Sequence, residues 1–351
     1  MKNTRIFILY TGGTIGMAPQ NQEDPASPLT PQNWKQLQRF MPAIKPNGYF
    51  SKTKNIEFEY HSFSQLLDSS QFNIGHWQQM ATEIERRYND FDGFIIIHGT
   101  DTMAYTASAL SFVFENLTKP IVLTGSQLPI SHTRTDAVTN FSNAIHIAAS
   151  SAFGLPVINE VSICFNDKVF RGNRCTKAST NDFEGFTSPN YPALAELEES
   201  IKVNTKSLWQ NGREKFNCNS NFNPNVLVLT LFPGIRTDLL TKLVEDSDVD
   251  GIIIKTFGSG NAPCSPQFLD VLKNAKDQGT FVMFITQCLQ GSVHLGKYAA
   301  SNIFKEIGVI SGYDITTEAA LSKMMWVLAQ KITKKEQEKL LLSNIRGEIT
   351  I

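Results

Sequence analysis

The feature that most constrains the fold is a repeated alternation of short apolar runs with longer amphipathic stretches. The apolar runs are rich in β-branched residues and are followed by turns; the clearest are Arg5–Tyr10, Gly93–His98, Pro120–Thr124, Glu160–Phe165, Val226–Phe232, Gly251–Thr256 and Thr280–Thr286. The stretches with helical periodicity are Thr102–Glu115, Asp136–Ser150, Ser265–Asp277 and Thr317–Ala329. Continuous apolar strands that alternate with amphipathic helices are typical of parallel sheets covered on both faces. The pattern therefore predicts an α/β fold.

The stretch from about Ser188 to Asn225 interrupts this alternation. It contains three prolines, an acidic run at 196–199 and many asparagines over 211–225. Such a polar, turn-prone stretch is typical of a connection between domains, and 351 residues are enough for about two domains. We therefore predict a larger N-terminal domain over 1–188, a linker over 189–225 and a smaller C-terminal α/β domain over 226–351.

The charges, the cysteines and the apolar runs exclude several classes of protein. The chain has 32 Lys and Arg against 33 Asp and Glu, so it lacks the strongly basic character of a nucleic-acid binder. Its five cysteines include no Cys-x-x-Cys pair, which argues against a disulfide framework and a structural zinc site. The run Ile6–Tyr10 is too short for a signal-peptide core, and no later run reaches the ~20 residues of a membrane span. We expect a soluble cytoplasmic protein with no nucleic-acid or membrane partner.

Two turns that contain threonine follow predicted strands. The first is Thr11-Gly-Gly-Thr-Ile-Gly-Met17, and the second is His98-Gly-Thr-Asp-Thr-Met103. Ligands of open parallel sheets bind beyond the carboxyl ends of the strands, where glycines leave backbone N–H groups free as donors. A hydroxyl among such donors can attack a carbonyl carbon while the donors hold the developing oxyanion. The first turn could equally bind a phosphate or form only a tight corner, although it fits neither the dinucleotide nor the P-loop spacing.

A hydroxyl nucleophile needs a base, and the six histidines form no spaced pair. Lys177 could serve if burial keeps it neutral, whereas composition alone favours a surface lysine at this position. Asp101 could support Thr100 or merely cap the helix that follows. The turn Gly258–Pro263 imitates half of a nucleotide fingerprint, but a proline stands where the third glycine belongs.

These motifs together resemble the type I L-asparaginases over essentially the whole chain, in the family's order. The matching segments are Tyr10–Met17, Asp92–Leu110, Thr124–Gln127, Arg171–Lys177, Gly258–Pro263 and Thr286–Cys288. The resemblance implies a larger N-terminal doubly wound, mainly parallel sheet and a smaller flavodoxin-like C-terminal α/β domain. It also implies a homo-oligomer built as a dimer of dimers, and hydrolysis of L-asparagine to L-aspartate and ammonia without a cofactor or metal.

The resemblance also assigns roles to individual residues. Thr14 matches the nucleophile that forms a β-aspartyl ester, and Thr100, Asp101 and Lys177 match the group that relays protons and activates water. The substrate-binding positions are Asp68, Ser69, Ser70, Thr100, Asp101 and, across the dimer, Asn261. This agrees with chemistry, because the zwitterion of a free amino acid needs both a carboxylate and hydroxyl or amide donors.

The sequence departs from the family pattern in two places. The stretch Ala18–Ser27 lacks the tyrosine that orients the nucleophile in many members, and Lys255 replaces an arginine. Some members bind asparagine at a second, allosteric site, and the matching positions here are Thr176, Lys255, Thr286, Gln287 and Cys288. Because lysine cannot grip a carboxylate with two parallel hydrogen bonds, we expect this second site to be weak or silent.

Three alternatives to a dedicated asparaginase remain at this point. One is a glutaminase-asparaginase, and another is the amidase subunit of a tRNA amidotransferase. The latter family carries an additional N-terminal module, whereas the first motif here begins at residue 11. The third is a catalytically silent ligand-binding protein, against which the retention of Thr14, Thr100, Asp101 and Lys177 argues.

Overall fold

The computed structural model describes residues 3–21, 24, 27–245, 248–296 and 299–351. The chain forms two compact units, the first ending at Asn219 and the second beginning at Ser220. Each unit has its own sheet and its own hydrophobic core. Within the described ranges, no helix has the length and apolar character that a membrane crossing requires.

The first unit contains fourteen strands among its described residues. They are β1 (Thr4–Gly12), β2 (Met17–Pro19), β3 (Leu29–Pro31), β4 (Ile56–Leu67), β5 (Gly93–Ile97), β6 (Phe114–Glu115), β7 (Ile121–Thr124), β8 (Val161–Phe165), β9 (Lys168–Arg171), β10 (Thr176–Lys177), β11 (Phe186–Thr187), β12 (Ala195–Leu197), β13 (Ile201–Val203) and β14 (Asn217–Cys218). Eight of them form one sheet in the order β13-β12-β9-β8-β7-β5-β1-β4. The pairs from β4 to β8 are parallel, and the pairs from β8 to β13 are antiparallel.

Helices cover this sheet, and their buried faces complete the core. The helices are α1 (Trp34–Leu37), α2 (Tyr49–Lys54), α3 (Ile74–Arg87), α4 (Met103–Val113) and α5 (Ala137–Ala148). Every residue of β5, β7 and β8 is buried, which is why these strands are continuously apolar in the sequence. The central strands consequently give the loops at their carboxyl ends a rigid base.

The strand order reverses at β1, and at such a reversal open α/β sheets form a crevice at the carboxyl ends of their strands. β1 lies between β4 and β5, although β4 precedes β5 in the sequence. The chain therefore leaves β1 towards one side and returns across it to the other side. The loops after β1 and β5 diverge at such a switch point, which is where open α/β sheets bind ligands.

The second unit is a four-stranded parallel sheet covered by helices. Its elements are β15 (Val226–Thr230), β16 (Gly251–Thr256), β17 (Phe281–Thr286), β18 (Ile310–Ser311), α6 (Thr237–Glu245), α7 (Pro266–Asp277), α8 (Ala299–Ile307), α9 (Thr317–Leu328) and α10 (Lys334–Leu342). A buried ion pair near the end of the chain joins Lys323 Nζ to Glu348 Oε1 at 2.7 Å. Burial lowers the pKa of Lys323, and Glu348 opposes this shift.

The predicted α/β class is confirmed, and so is the two-part layout of a mainly parallel sheet with a smaller parallel α/β unit. The division between units differs from the predicted boundaries, because part of the predicted linker 189–225 belongs to the first sheet. β12 pairs with β9, and β13 pairs with β12. This pairing uses backbone hydrogen bonds, which polar side chains do not prevent. The contacts place the division between Asn219 and Ser220.

Candidate active site

Three loops meet at the carboxyl ends of β4, β1 and β5, and glycines allow them to approach closely. Gly13 has a φ of +88°, and a β-carbon there would lie 2.4 Å from the backbone nitrogen of Gly99. A β-carbon on Gly99 would lie 2.6 Å from the hydroxyl of Ser69. The Thr14 turn, the Thr100 turn and the Asp68–Ser70 segment are therefore in direct contact.

Thr14 begins a 3₁₀ turn, Thr14–Gly16, directly after Gly12, the last residue of β1, and Gly13. Its side chain is half-buried, and within the described part of the chain its hydroxyl has no hydrogen-bond partner. The backbone of the turn is held instead, because Ile15 O accepts from Ile130 N at 3.0 Å. A hydroxyl of this kind is available to a bound molecule.

Lys177 joins Thr100 and Asp101 into one hydrogen-bonded group. Its Nζ donates to Thr100 Oγ1 at 2.8 Å and to Asp101 Oδ1 at 2.6 Å. The Lys177 side chain is 16% exposed, so it is not the freely solvated lysine that composition alone favours. Antiparallel pairing of β10 with β11, which sets Lys177 opposite Phe186, holds it there. Thr100 is buried, whereas the Asp101 side chain is 60% exposed.

Asp101 does not cap the helix that follows. The N-cap position of α4 is Thr102, and no side chain caps this helix. Thr102 Oγ1 donates instead to Ser69 O at 2.7 Å, which ties the Thr100 turn to the neighbouring loop. The Asp101 carboxylate is therefore left to Lys177 and to the crevice.

The segment Asp68–Ser70 presents a carboxylate and a hydroxyl beside these threonines. Asp68 Oδ1 accepts from Ser70 N at 2.8 Å and so shapes the short 3₁₀ turn Ser69–Gln71. Ser69 is buried against Gly99, whereas Asp68 is half-buried and Ser70 is exposed. The second oxygen of Asp68 and the Ser70 hydroxyl are the groups of this segment placed to meet a polar ligand.

A buried hydrogen-bond chain that the sequence analysis did not identify supports the Thr100 turn. Trp77 Nε1 donates to Thr106 Oγ1 at 3.1 Å, and Thr106 Oγ1 lies 2.9 Å from His98 Nε2. The other ring nitrogen, Nδ1, lies 2.6 Å from Gly99 O, which can only accept, so Nδ1 carries the proton. Burial lowers the pKa of His98 to about 4, although the bond to Gly99 opposes the shift. His98 is therefore a neutral structural residue.

Arg171 anchors the segment that leads to Lys177. Its Nε donates to Glu160 Oε2 at 2.5 Å, and its Nη2 donates to Ser207 O at 2.7 Å. The guanidinium also lies 4.4 Å from the ring centre of Tyr191. Because the charge is buried but paired, Arg171 fixes this segment rather than facing a ligand.

The remaining predicted site residues, apart from Thr176, belong to the second unit. Asn261 is exposed, and its backbone exchanges two 2.9 Å hydrogen bonds with Phe257. Lys255 is half-buried on β16, and its carbonyl accepts from Gln287 Nε2 at 2.8 Å. Thr286 Oγ1 accepts from Cys288 N at 3.0 Å. Lys255, Thr286, Gln287 and Cys288 thus cluster at the carboxyl ends of β16 and β17, whereas Thr176 lies in the first unit.

The stretch Ala18–Ser27, which contains no tyrosine, lies partly outside the described residues. These positions are 22, 23, 25 and 26. On either side of them, β2 and β3 pair as a hairpin that begins directly after the Thr14 turn.

Comparison with known proteins identifies the family of this chain. The model of the asparaginase N-terminal family matches residues 5–209, and that of the glutaminase/asparaginase C-terminal domain matches residues 225–341. The chain is 39% identical to L-asparaginase 1 of Escherichia coli over 350 residues, which cover 100% of this chain and 99% of that protein. It therefore belongs to the L-asparaginase family, as its motifs predicted.

Two further proteins, one a solved structure, are similar to this chain. The crystal structure of L-asparaginase I from Vibrio cholerae matches with a TM-score of 0.88 and 38% identity, and the match covers 100% of both chains. The 60 kDa lysophospholipase of Mus musculus is 36% identical over 360 residues, which cover 99% of this chain and 63% of that protein.

Proposed function

We propose that this protein hydrolyses L-asparagine to L-aspartate and ammonia through an ester formed on Thr14. The observation that carries the proposal is the position of Lys177 Nζ, which hydrogen-bonds both Thr100 Oγ1 and Asp101 Oδ1 beside the Thr14 turn. Two hydroxyls and a lysine–carboxylate pair at one strand edge supply a nucleophile and a proton carrier. Family membership and the names of the asparaginase relatives support asparagine as the substrate.

In the first step, the Thr14 hydroxyl oxygen attacks the carbon of the side-chain amide. The C–O bond of the ester forms and the C–N bond breaks. The proton that leaves the Thr14 hydroxyl passes to the amide nitrogen, which departs as ammonia. Backbone N–H groups of the glycine-rich turns are the donors available to the developing oxyanion. Among the described residues none hydrogen-bonds the Thr14 hydroxyl, which agrees with this role.

In the second step, water cleaves the ester. Thr100 and Lys177 accept a proton from the attacking water. The oxygen of that water becomes the second oxygen of the aspartate carboxylate. The C–O bond to Thr14 breaks, and Thr14 regains its proton. The 2.6 Å contact with Asp101 stabilises positive charge on Lys177 while it holds that proton.

Recognition of the amino-acid end follows from the charges at the rim of the crevice. Asp68 and the largely exposed Asp101 can receive the α-ammonium group, while the Ser70 hydroxyl and neighbouring amides can donate to the α-carboxylate. We propose that Asn261 completes the site from a second subunit of a homo-oligomer, a dimer of dimers. The cytoplasmic location stays a prediction.

The test is ammonia release from asparagine and glutamine measured side by side, with a lysophospholipid tested for fatty-acid release by the same preparation. We expect rapid turnover of asparagine. Equal turnover of glutamine would indicate a glutaminase-asparaginase, and release of fatty acid without ammonia would indicate the activity named for the mouse relative. Binding of asparagine without any turnover would contradict the proposal.

A further inference from the structure

Tyr10 lies beneath the Thr14 turn and is completely buried. It lies on β1, two residues before Gly12, and its ring centre lies 6.0 Å from that of Trp34. Its hydroxyl donates to the backbone carbonyl of Gln32 at 2.9 Å. Burial raises the pKa of Tyr10, so the hydroxyl keeps its proton and remains a donor.

The same hydroxyl touches the turn itself. A β-carbon on Gly16 would lie 1.9 Å from the Tyr10 hydroxyl oxygen, so the hydroxyl packs directly against the Gly16 backbone. Gln32 closes the connection, because its backbone N–H donates to Gly16 O at 2.7 Å. Tyr10, Gln32 and Gly16 thus form a closed arrangement, here named the turn brace.

The turn brace lies where the hairpin of β2 and β3 joins the Thr14 turn. Met17 pairs with Pro31 in the residues adjoining Gly16 and Gln32. Since no described residue holds the Thr14 hydroxyl, the position of that oxygen depends on the backbone of the turn. A displacement of about 1 Å in a reacting group can cost ~10²-fold in rate.

We propose that Tyr10 is a positioning residue for Thr14, acting through the turn brace and not on the substrate. This inference rests on the proposed function, because it assigns Tyr10 to the nucleophile of that reaction. The Tyr10 hydroxyl holds the backbone of Gly16 and Gln32 together. The backbone of the Thr14–Gly16 turn then sets the position of the Thr14 side chain.

The first experiment compares Tyr10→Phe with a matched control, Tyr88→Phe. Tyr88 is also buried, and its hydroxyl bonds Thr118 N at 2.7 Å, but it does not touch the Thr14 turn. We expect Tyr10→Phe to lower kcat for asparagine about tenfold with KM within about twofold, and Tyr88→Phe to change neither. Normal kcat in Tyr10→Phe, or equal losses in both variants, would overturn the proposal.

Hydrogen exchange tests the brace independently of activity. Exchange of the Gln32 amide, followed by mass spectrometry, should be faster in Tyr10→Phe than in the natural protein or in Tyr88→Phe. Unchanged exchange would overturn the brace, even if kcat falls. If the natural protein does not hydrolyse asparagine while exchange still rises, the proposed function fails and the brace stands.

A double substitution tests the contact with Gly16. Gly16→Ala forces a β-carbon against the Tyr10 hydroxyl in the natural background, whereas in Tyr10→Phe the nearest ring atom is 2.8 Å away. The alanine should therefore cost at least about threefold less activity in the Tyr10→Phe background. Fully additive losses would show that the two residues are not coupled.

Discussion

Replacing Lys177 by methionine removes the proposed proton acceptor while keeping its straight apolar stem. The change deletes Nζ and its hydrogen bonds to Thr100 Oγ1 and Asp101 Oδ1, at 2.8 and 2.6 Å. A positioned acid or base contributes ~10²–10⁴-fold to a rate. This corresponds to about 3–5 kcal/mol of transition-state stabilisation. We expect kcat for asparagine to fall by about that factor.

The stability of the protein should hardly change in the same variant. The Asp101 carboxylate is 60% exposed, and ion pairs of exposed groups contribute only ~0–1 kcal/mol to folding. Steady-state ammonia release gives kcat, and calorimetry gives the melting temperature.

Lys202→Met is the matched control for this substitution. Lys202 lies on β13 of the same unit and pairs with Glu198 at 3.4 Å on the exposed surface. The control should keep both its kcat and its melting temperature. A kcat within about tenfold of the natural protein in Lys177→Met, or an equal loss in Lys202→Met, would refute the proton-acceptor role.

Three further predictions concern the nucleophile, the second site and acid stability. Thr14→Ala should abolish ammonia release while calorimetric titration still detects asparagine binding, because the carboxylate and amino contacts lie on other residues; activity within about tenfold of the natural protein would refute the role of Thr14. The natural protein should show nearly hyperbolic kinetics with asparagine, and if a sigmoidal response exists, Lys255→Arg should move its midpoint to lower asparagine; strong cooperativity unchanged by the arginine would show that position 255 does not set effector affinity. Burial lowers the pKa of His98 to about 4 in the folded chain, against 6.5 for an unperturbed histidine. Between these pH values the unfolded state therefore binds more protons than the folded state. The free energy of unfolding should then drop by about 2 kcal/mol between pH 7 and pH 5 on account of His98, and urea titrations of His98→Gln should lack that part of the drop.

The sequence predicts best those elements whose burial leaves a one-dimensional signal. β5 is apolar throughout, and β16 is apolar up to Ile254, because both are buried in the middle of a sheet; their predicted positions agree closely with the structure. β4 was not predicted, because this edge strand exposes many of its residues and its apolar positions are irregularly spaced. β12 and β13 were not predicted for a related reason, because they pair through backbone groups within a polar stretch.

In the candidate site, too, the sequence predicts residues marked by local motifs but not contacts that only the fold creates. Thr14, Thr100 and Asp101 stand out because glycines and strand ends mark their turns in the sequence. Lys177 was ambiguous, because its burial depends on the pairing of β10 with β11. The His98 chain and the turn brace were missed entirely. Their hydrogen bonds join residues 8 to 29 positions apart, and no spacing rule connects such partners.

The most direct test of the central proposal is to look for the ester on Thr14. Lys177→Met should slow the second step, so acid quenching during turnover of asparagine should trap an aspartyl group. Mass spectrometry of the digested protein should find that group on the peptide containing Thr14, together with a burst of about one ammonia per active site. An aspartyl group on Thr100, or turnover with no adduct at any residue under these conditions, would contradict the account.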